Sequence, residues 1–296
     1  LIQTLDIEHF WEAFDALKKA KTYRDSINLM QTVYIDRATN GFKDFIKKWS
    51  ITPESMIKAI AKYPKFYNSI KQNTFKVKNS DSTIKEIVEN FRAIYPGFKD
   101  KRVCFFIGNM NVGGTVSDNF LLIGTEIMAA TQFNDLSELN PSFKEMFKDN
   151  VNVVQEIKKL VAHEYVHTQQ TDQYDEEAII CPLLYDTLQE GIADFIGELI
   201  SDVKLNSEMY SYGDKHEAEL WEDFKNELCN TVSDNWLFNG EIKDKPSDLG
   251  YYIGYKIAEE YMKNAENKDE AIIEMIEMND PIRFLQKSNY DQKKKQ

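Results

Sequence analysis

The hydrophobic positions of the first hundred residues recur mostly at helical spacing. Phe10, Trp11, Phe14 and Leu17 fall on one side of a 3.6-residue period and predict a helix. A second helical stretch is predicted from about Asp36 to Trp49. Thr52 followed by Pro53 reads as an N-cap with proline in the first turn of the next helix. A further helix is predicted from Ser82 to Ile94, stopped by Pro96-Gly97. The pattern then changes. Val103 to Ile107 and Phe120 to Ile123 are short apolar runs with strand character. Between them the Asn- and Gly-rich stretch from Asn109 to Gly114 reads as a loop, with Gly113-Gly114 as a hairpin turn, the commoner use of such a pair, or as a place where backbone comes close to a ligand. An edge strand in this unit would be suited to holding an extended peptide. From Pro141 onward the pattern is helical again, with breaks expected near Pro182, Gly213, Asn239-Gly240 and Pro246. The expected fold class is α+β and predominantly helical, one compact unit over 1–296. Its N-terminal part, to about 98, is helical, and the part from about 99 holds the small sheet.

Composition narrows this without redirecting it. The chain has 296 residues, 42% hydrophobic and 12% aromatic, enough for a packed core and too many for disorder. A net charge of -13 repels phosphate backbones, so nucleic acid is not an expected partner. The basic run at Lys293, Lys294 and Lys295 reads as a solvated tail. Cys104, Cys181 and Cys229 allow one bridge but no thiolate zinc site. No apolar run is long enough to span a membrane. The chain starts at Leu1 rather than Met, from which removal of an upstream segment is expected.

One motif carries chemistry. Val154, Ile157, Leu160 and Val161 outline a helix face, and His163 and His167 lie four apart on the same helix. That spacing brings both imidazoles to one side, where they can share a zinc ion. Glu164, one position round, can reach the attacking water without being a ligand, the placement of a general base. His216-Glu217 lacks a second histidine four residues on, where Leu220 stands. A catalytic zinc needs a third protein ligand. Downstream, Leu188, Ile192, Phe195, Ile196 and Leu199 define an apolar face, and Glu190 and Asp194 fall opposite, beside Ala193, Gly197 and Ser201. Small residues around two carboxylates suit close packing, so Glu190 is assigned as third ligand. Asp194 is assigned to accept the Nδ1 proton of a ligand histidine, His163. The rival carboxylates Asp172, Asp175, Glu176 and Glu177 sit in a polar stretch.

His163-Glu164-x-x-His167 followed by Glu190-x-x-x-Asp194 resembles the gluzincins, the thermolysin-like zinc metallopeptidases. The resemblance implies a zincin-like catalytic unit from about residue 99 onward, with an active-site helix. A narrower resemblance rests on Phe10-Trp11-Glu-Ala-Phe14, both metal motifs, and Asp248-Leu-Gly-Tyr-Tyr-Ile-Gly254-Tyr255. These segments together are similar to predicted zinc-dependent proteases and gliding-motility lipoprotein B proteins of Bacteroidetes. It implies a lipoprotein outside the cytoplasm, joined to the membrane only through an upstream lipid anchor. Gluzincins often place an oxyanion donor after the third ligand. The Tyr-x-x-Gly pattern of the narrower group selects Tyr251, with Tyr252, Tyr255 and His216 as alternatives, on a helix expected to start at Pro246-Ser247.

The resulting expectation is a single-zinc hydrolase acting on a peptide or protein substrate. His163, His167 and Glu190 hold the ion, Glu164 moves the proton, and Tyr251 stabilises the oxyanion. Two alternatives stand beside it: a non-catalytic, zinc-containing envelope interaction lipoprotein, and a zinc hydrolase of a non-peptide amide or ester.

Overall fold

A computed structural model describes residues 2–170, 181–204, 208–240 and 245–293. The fold is α+β and predominantly helical, as the pattern predicts. The chain forms two compact units, residues 1–86 with 100–164, and residues 87–99 with 165–296.

The first unit opens with a short strand, β1 (Ile2–Gln3), then α1 (Leu5–Leu17), α2 (Tyr23–Val33), α3 (Asn40–Trp49), α4 (Pro53–Lys62), α5 (Pro64–Thr74) and the start of α6 (Asp81–Ile94), which continues into the second unit from residue 87. The helix expected from Asp36 is in fact a 3-10 turn at Ile35–Arg37, and α3 begins only at Asn40. Thr52 caps α4 as expected, its side chain accepting from the Ser55 amide while the Ser55 hydroxyl accepts from the Thr52 amide. Three strands follow, β2 (Arg102–Phe106), β3 (Gly114–Val116) and β4 (Phe120–Gly124), then α7 (Thr125–Met128), α8 (Pro141–Phe147) and α9 (Val153–His167).

The sheet order is β1-β2-β4-β3. The pairs β1–β2 and β2–β4 are parallel, and β3 runs antiparallel to β4 at the edge. The central strands are almost wholly apolar because both faces are covered. Gly113-Gly114 is not a turn. Gly114 begins β3 and pairs with Ile123, and the hairpin closes where Ser117 N–H donates to the Phe120 carbonyl at 2.8 Å.

An aromatic cluster of Phe10, Tyr34, Phe42, Phe45, Tyr67 and Phe106 fills the space beside the sheet. Two of its phenols fix the chain leaving β2. Tyr34 Oη donates to the Ile107 carbonyl at 2.6 Å, and Tyr67 Oη to the Gly108 carbonyl at 2.9 Å. The loop beyond is fastened by Glu126, which is fully buried. Its carboxylate accepts from the amides of Gly108 at 2.7 Å and Met110 at 3.2 Å. Burial raises its pKa to about 7, opposed by those amide donors. Gly108 has no room for a side chain, since a Cβ there would lie 2.7 Å from Glu126 Oε1.

The second unit is built from α10 (Pro182–Ser201), α11 (Glu208–Lys225), α12 (Leu249–Asn264), α13 (Lys268–Ile276), α14 (Pro281–Ser288) and α15 (Tyr290–Lys293). Lys294 and Lys295 lie outside the described residues. Pro182 opens α10 as expected, but Gly213 lies inside α11 rather than breaking it. A Cβ at Gly213 would sit 2.5 Å from the Tyr252 ring, so the glycine is there for packing. Likewise α12 starts at Leu249 rather than Pro246, after Asp248 in a left-handed conformation. Asp248 and Asn239 exchange side chain-to-amide hydrogen bonds that set this start.

Two further devices hold α10. Cys181 and Cys229 form a disulfide at its N-terminus, while Cys104 is free and buried. The Leu183 and Leu184 amides, unpaired within a first helical turn, donate to the carbonyls of Asn230 and Leu228 at 3.2 and 3.0 Å. In its middle α10 meets α12 backbone to backbone. A Cβ at Gly191 would fall 2.1 Å from the Gly254 carbonyl carbon, and one at Gly254 would fall 1.9 Å from the Thr187 carbonyl oxygen.

Candidate metal centre

The α9 helix is a continuous run ending at His167, so His163 and His167 keep the fixed geometry of one helix. Ile157 and Val161 are buried as expected, but the face is completed by Val153 rather than Val154, which is 47% exposed. Glu164 is only 8% exposed. Its carboxylate rests against edge strand β3, where a Cβ on Gly114 would stand 2.4 Å from Oε1. The glycine read from sequence as a turn is therefore what lets backbone come close to the Glu164 carboxylate.

One ligand atom each from His163, His167 and Glu190 lies within 4.8 Å of the others. His167 Nε2 and Glu190 Oε2 are 3.2 Å apart. Two ligands about 2.05 Å from a tetrahedral zinc would be about 3.4 Å apart, so the pair is already at coordinating separation. Gln170 fixes what the imidazole presents there. Its Nε2 donates to the Gln189 carbonyl at 2.9 Å, which turns its Oε1 to His167 Nδ1 at 2.6 Å. A carbonyl cannot donate, so the amide nitrogen must face it and Nδ1 must carry the proton. In the neutral imidazole Nε2 is then a lone pair facing a carboxylate oxygen, an arrangement that calls for a proton or a cation between them. The donor set of two imidazoles and one carboxylate fits zinc with a coordination position left for water.

The tyrosines are distributed along α10. Tyr251 hydrogen-bonds through its side chain to Glu190, and burial, then the charge of Glu190, raises its pKa well above the usual range. Tyr210 Oη donates to Asp194 Oδ2 at 2.6 Å and Tyr255 Oη to Glu198 at 2.9 Å. Tyr252 is turned away, donating to Asp214 at 3.1 Å. His216 stacks on Tyr212 and pairs with Glu219. Of the alternatives weighed for an oxyanion donor, only Tyr251 is shown bonded to a residue of the metal cluster. Asp172, Asp175, Glu176 and Glu177 lie outside the described residues. Phe238, 71% exposed with a positive φ of 55°, packs edge-on against the Tyr251 ring.

Sequence reasoning missed Gln170, Tyr210 and Phe238. A polar residue just past a helix end carries no periodic signal, and a tyrosine 16 residues from its partner carries none either.

The profile of the gliding motility protein GldB family matches residues 2–292. The chain belongs to that family. The match covers the helical first hundred residues and the metal motifs alike, and bears out the gliding-motility lipoprotein part of the narrower resemblance. GldB-family membership places the protein outside the cytoplasm, among cell-envelope lipoproteins. Among the described residues, no helix is long and apolar enough to cross a membrane. No curated protein and no solved structure matches the chain.

Proposed function

We propose that this GldB-family protein is a zinc-binding component of the cell envelope, with the ion held by His163, His167 and Glu190. The observation that carries the reading is the convergence of those three ligand atoms within 4.8 Å. Family membership speaks of gliding motility and not of hydrolysis, so it favours the envelope role over a dedicated peptidase. Asp194, anchored by Tyr210, would accept the Nδ1 proton of His163 and orient that ring.

A second reading, hydrolysis, is favoured by Glu164. A purely structural zinc has no need of a buried carboxylate beside it and usually has four protein ligands. Zinc bound here would supply Lewis acidity and make water a nucleophile at neutral pH. Glu164 would take a proton from the attacking water and return it to the leaving amine, the role of a general base turned acid. Tyr251 would turn its phenol from Glu190 to the developing oxyanion. Gluzincin-type peptide hydrolysis and hydrolysis of another amide or ester both suit these residues.

Metal analysis of purified wild type and Glu190→Ala, paired with a peptide-library cleavage screen, tests both readings. One equivalent of zinc in wild type and its loss in Glu190→Ala supports the centre; equal metal content in both refutes it. Cleavage by wild type that Glu164→Gln abolishes with zinc retained supports hydrolysis. Wild-type protein that holds zinc and cleaves nothing supports the non-catalytic role.

A further inference from the structure

The geometry points to Gln170 as a positioning residue that couples two of the ligands, fixing the tautomer of His167 and holding Glu190 in register with it. This inference rests on the zinc centre proposed above. Gln170 is 8% exposed, the third residue after the ligand His167 that ends α9, and both ends of its amide are engaged. Its oxygen takes the Nδ1 proton of His167, and its nitrogen holds the carbonyl of Gln189, the residue just before Glu190.

A single planar amide thus spans from one ligand's ring to the other ligand's backbone. Rotating the amide to suit another partner would break both contacts at once. The neighbouring Gln169 supplies the rigidity this needs. Its Oε1 accepts from the Lys99 amide at 2.7 Å and its Nε2 donates to the Lys99 carbonyl at 2.9 Å, pairing as a strand would. The chain leaving α9 is therefore clamped before and at the position of Gln170. Ligand histidines commonly give their second ring proton to a carboxylate, main-chain carbonyl or water. A neutral amide does the same here without adding negative charge to a site already holding Glu190.

The test uses the whole protein and two readouts. Zinc affinity is measured by competition with a chromophoric chelator. The His167 ring is followed by nitrogen-proton NMR in metal-free and zinc-loaded protein. Gln170→Leu, which keeps the bulk and removes both polar groups, should weaken zinc binding about 10- to 100-fold. It should also remove the slowly exchanging Nδ1 proton of His167 seen in wild type. Gln170→Glu keeps an acceptor for Nδ1 but loses the donor to the Gln189 carbonyl, so it should retain the proton while still losing zinc affinity. Wild-type affinity in Gln170→Leu, or a wild-type His167 bare at Nδ1, overturns the inference. If wild type binds no zinc, the metal centre itself falls, while the Nδ1 proton in metal-free protein still decides the role of Gln170. If Gln170→Leu does not fold, the wild-type tautomer and Gln170→Glu decide it.

Discussion

Replacing Glu126 by glutamine should change how stability depends on pH, and the structure fixes both sign and size. The carboxyl is fully buried, and its pKa moves from 4.5 to about 7 because burial disfavours the charged form. Below pH 4.5 the group is protonated whether the chain is folded or unfolded. Between 4.5 and about 7 the folded chain keeps a proton that the unfolded chain has released, so stability falls as pH rises. Above about 7 both states are ionised and the loss is complete. At about 1.4 kcal/mol per pH unit, that interval corresponds to roughly 3 kcal/mol. Glutamine does not titrate. It keeps an acceptor for one of the Gly108 and Met110 amides but turns its own NH2 toward the other, a pH-independent cost of about 1–3 kcal/mol. All other titrating groups are shared by the two proteins and cancel. Urea unfolding followed by circular dichroism at half-unit steps from pH 4.5 to 8 reads the difference directly. Wild type should lose about 3 kcal/mol relative to Glu126→Gln across the range. Two parallel curves would refute the reasoning, since a carboxyl ionised in both states throughout contributes no relative slope.

Gly254→Ala should cost about 3 kcal/mol or more in thermal melts and weaken zinc binding, because its Cβ would meet the Thr187 carbonyl oxygen at 1.9 Å and separate α10 from α12; an unchanged melting point would count against the backbone contact. Reducing the Cys181–Cys229 bridge, which links positions 48 apart, should destabilise the protein by about 4 kcal/mol on chain-entropy grounds, read by melting with and without reductant. Double replacement of those cysteines by serine should reproduce the loss and make the reductant irrelevant. Gly114→Ala should displace the Glu164 carboxylate and lower any hydrolytic activity while leaving zinc content unchanged; loss of metal instead would place Gly114 in a different role.

The parts of the site that repeat with a helical period were legible in the sequence. His163 and His167 on one side of α9, and Glu190 and Asp194 on one side of α10, needed only the 3.6-residue period to be found. Reading the small residues near Glu190 as a packing surface also pointed the right way, though the contact is made by Gly191 against Gly254. What failed was local chemistry set by distant partners. Gly114 reads as a turn because nothing nearby reveals that Glu164, fifty residues later, will occupy the space of its side chain. Gly213 reads as a break because the Tyr252 ring that fills its place comes from another helix. The start of α12 was misplaced for the same reason, since Asp248 is held by Asn239 across a loop rather than by its own neighbours. Gln170 has no signature at all until its two partners are in view.

The phenol–carboxylate pairs of the second unit bear on where such a protein can work. Asp194, Glu198, Asp214 and Glu217 are gripped by Tyr210, Tyr255, Tyr252 and Tyr290. These donors are neutral. An ion pair between exposed charges weakens as dissolved salt gathers round it, whereas a bond from an uncharged hydroxyl has no Coulomb attraction between full charges to lose. Outside the cytoplasm, the ionic strength is set by the surroundings rather than by the cell. Glu198 and Asp214 also reach Lys204 and Lys256, so the phenol bonds are the salt-insensitive share of a strongly acidic scaffold whose ion pairs still weaken as the water turns saline.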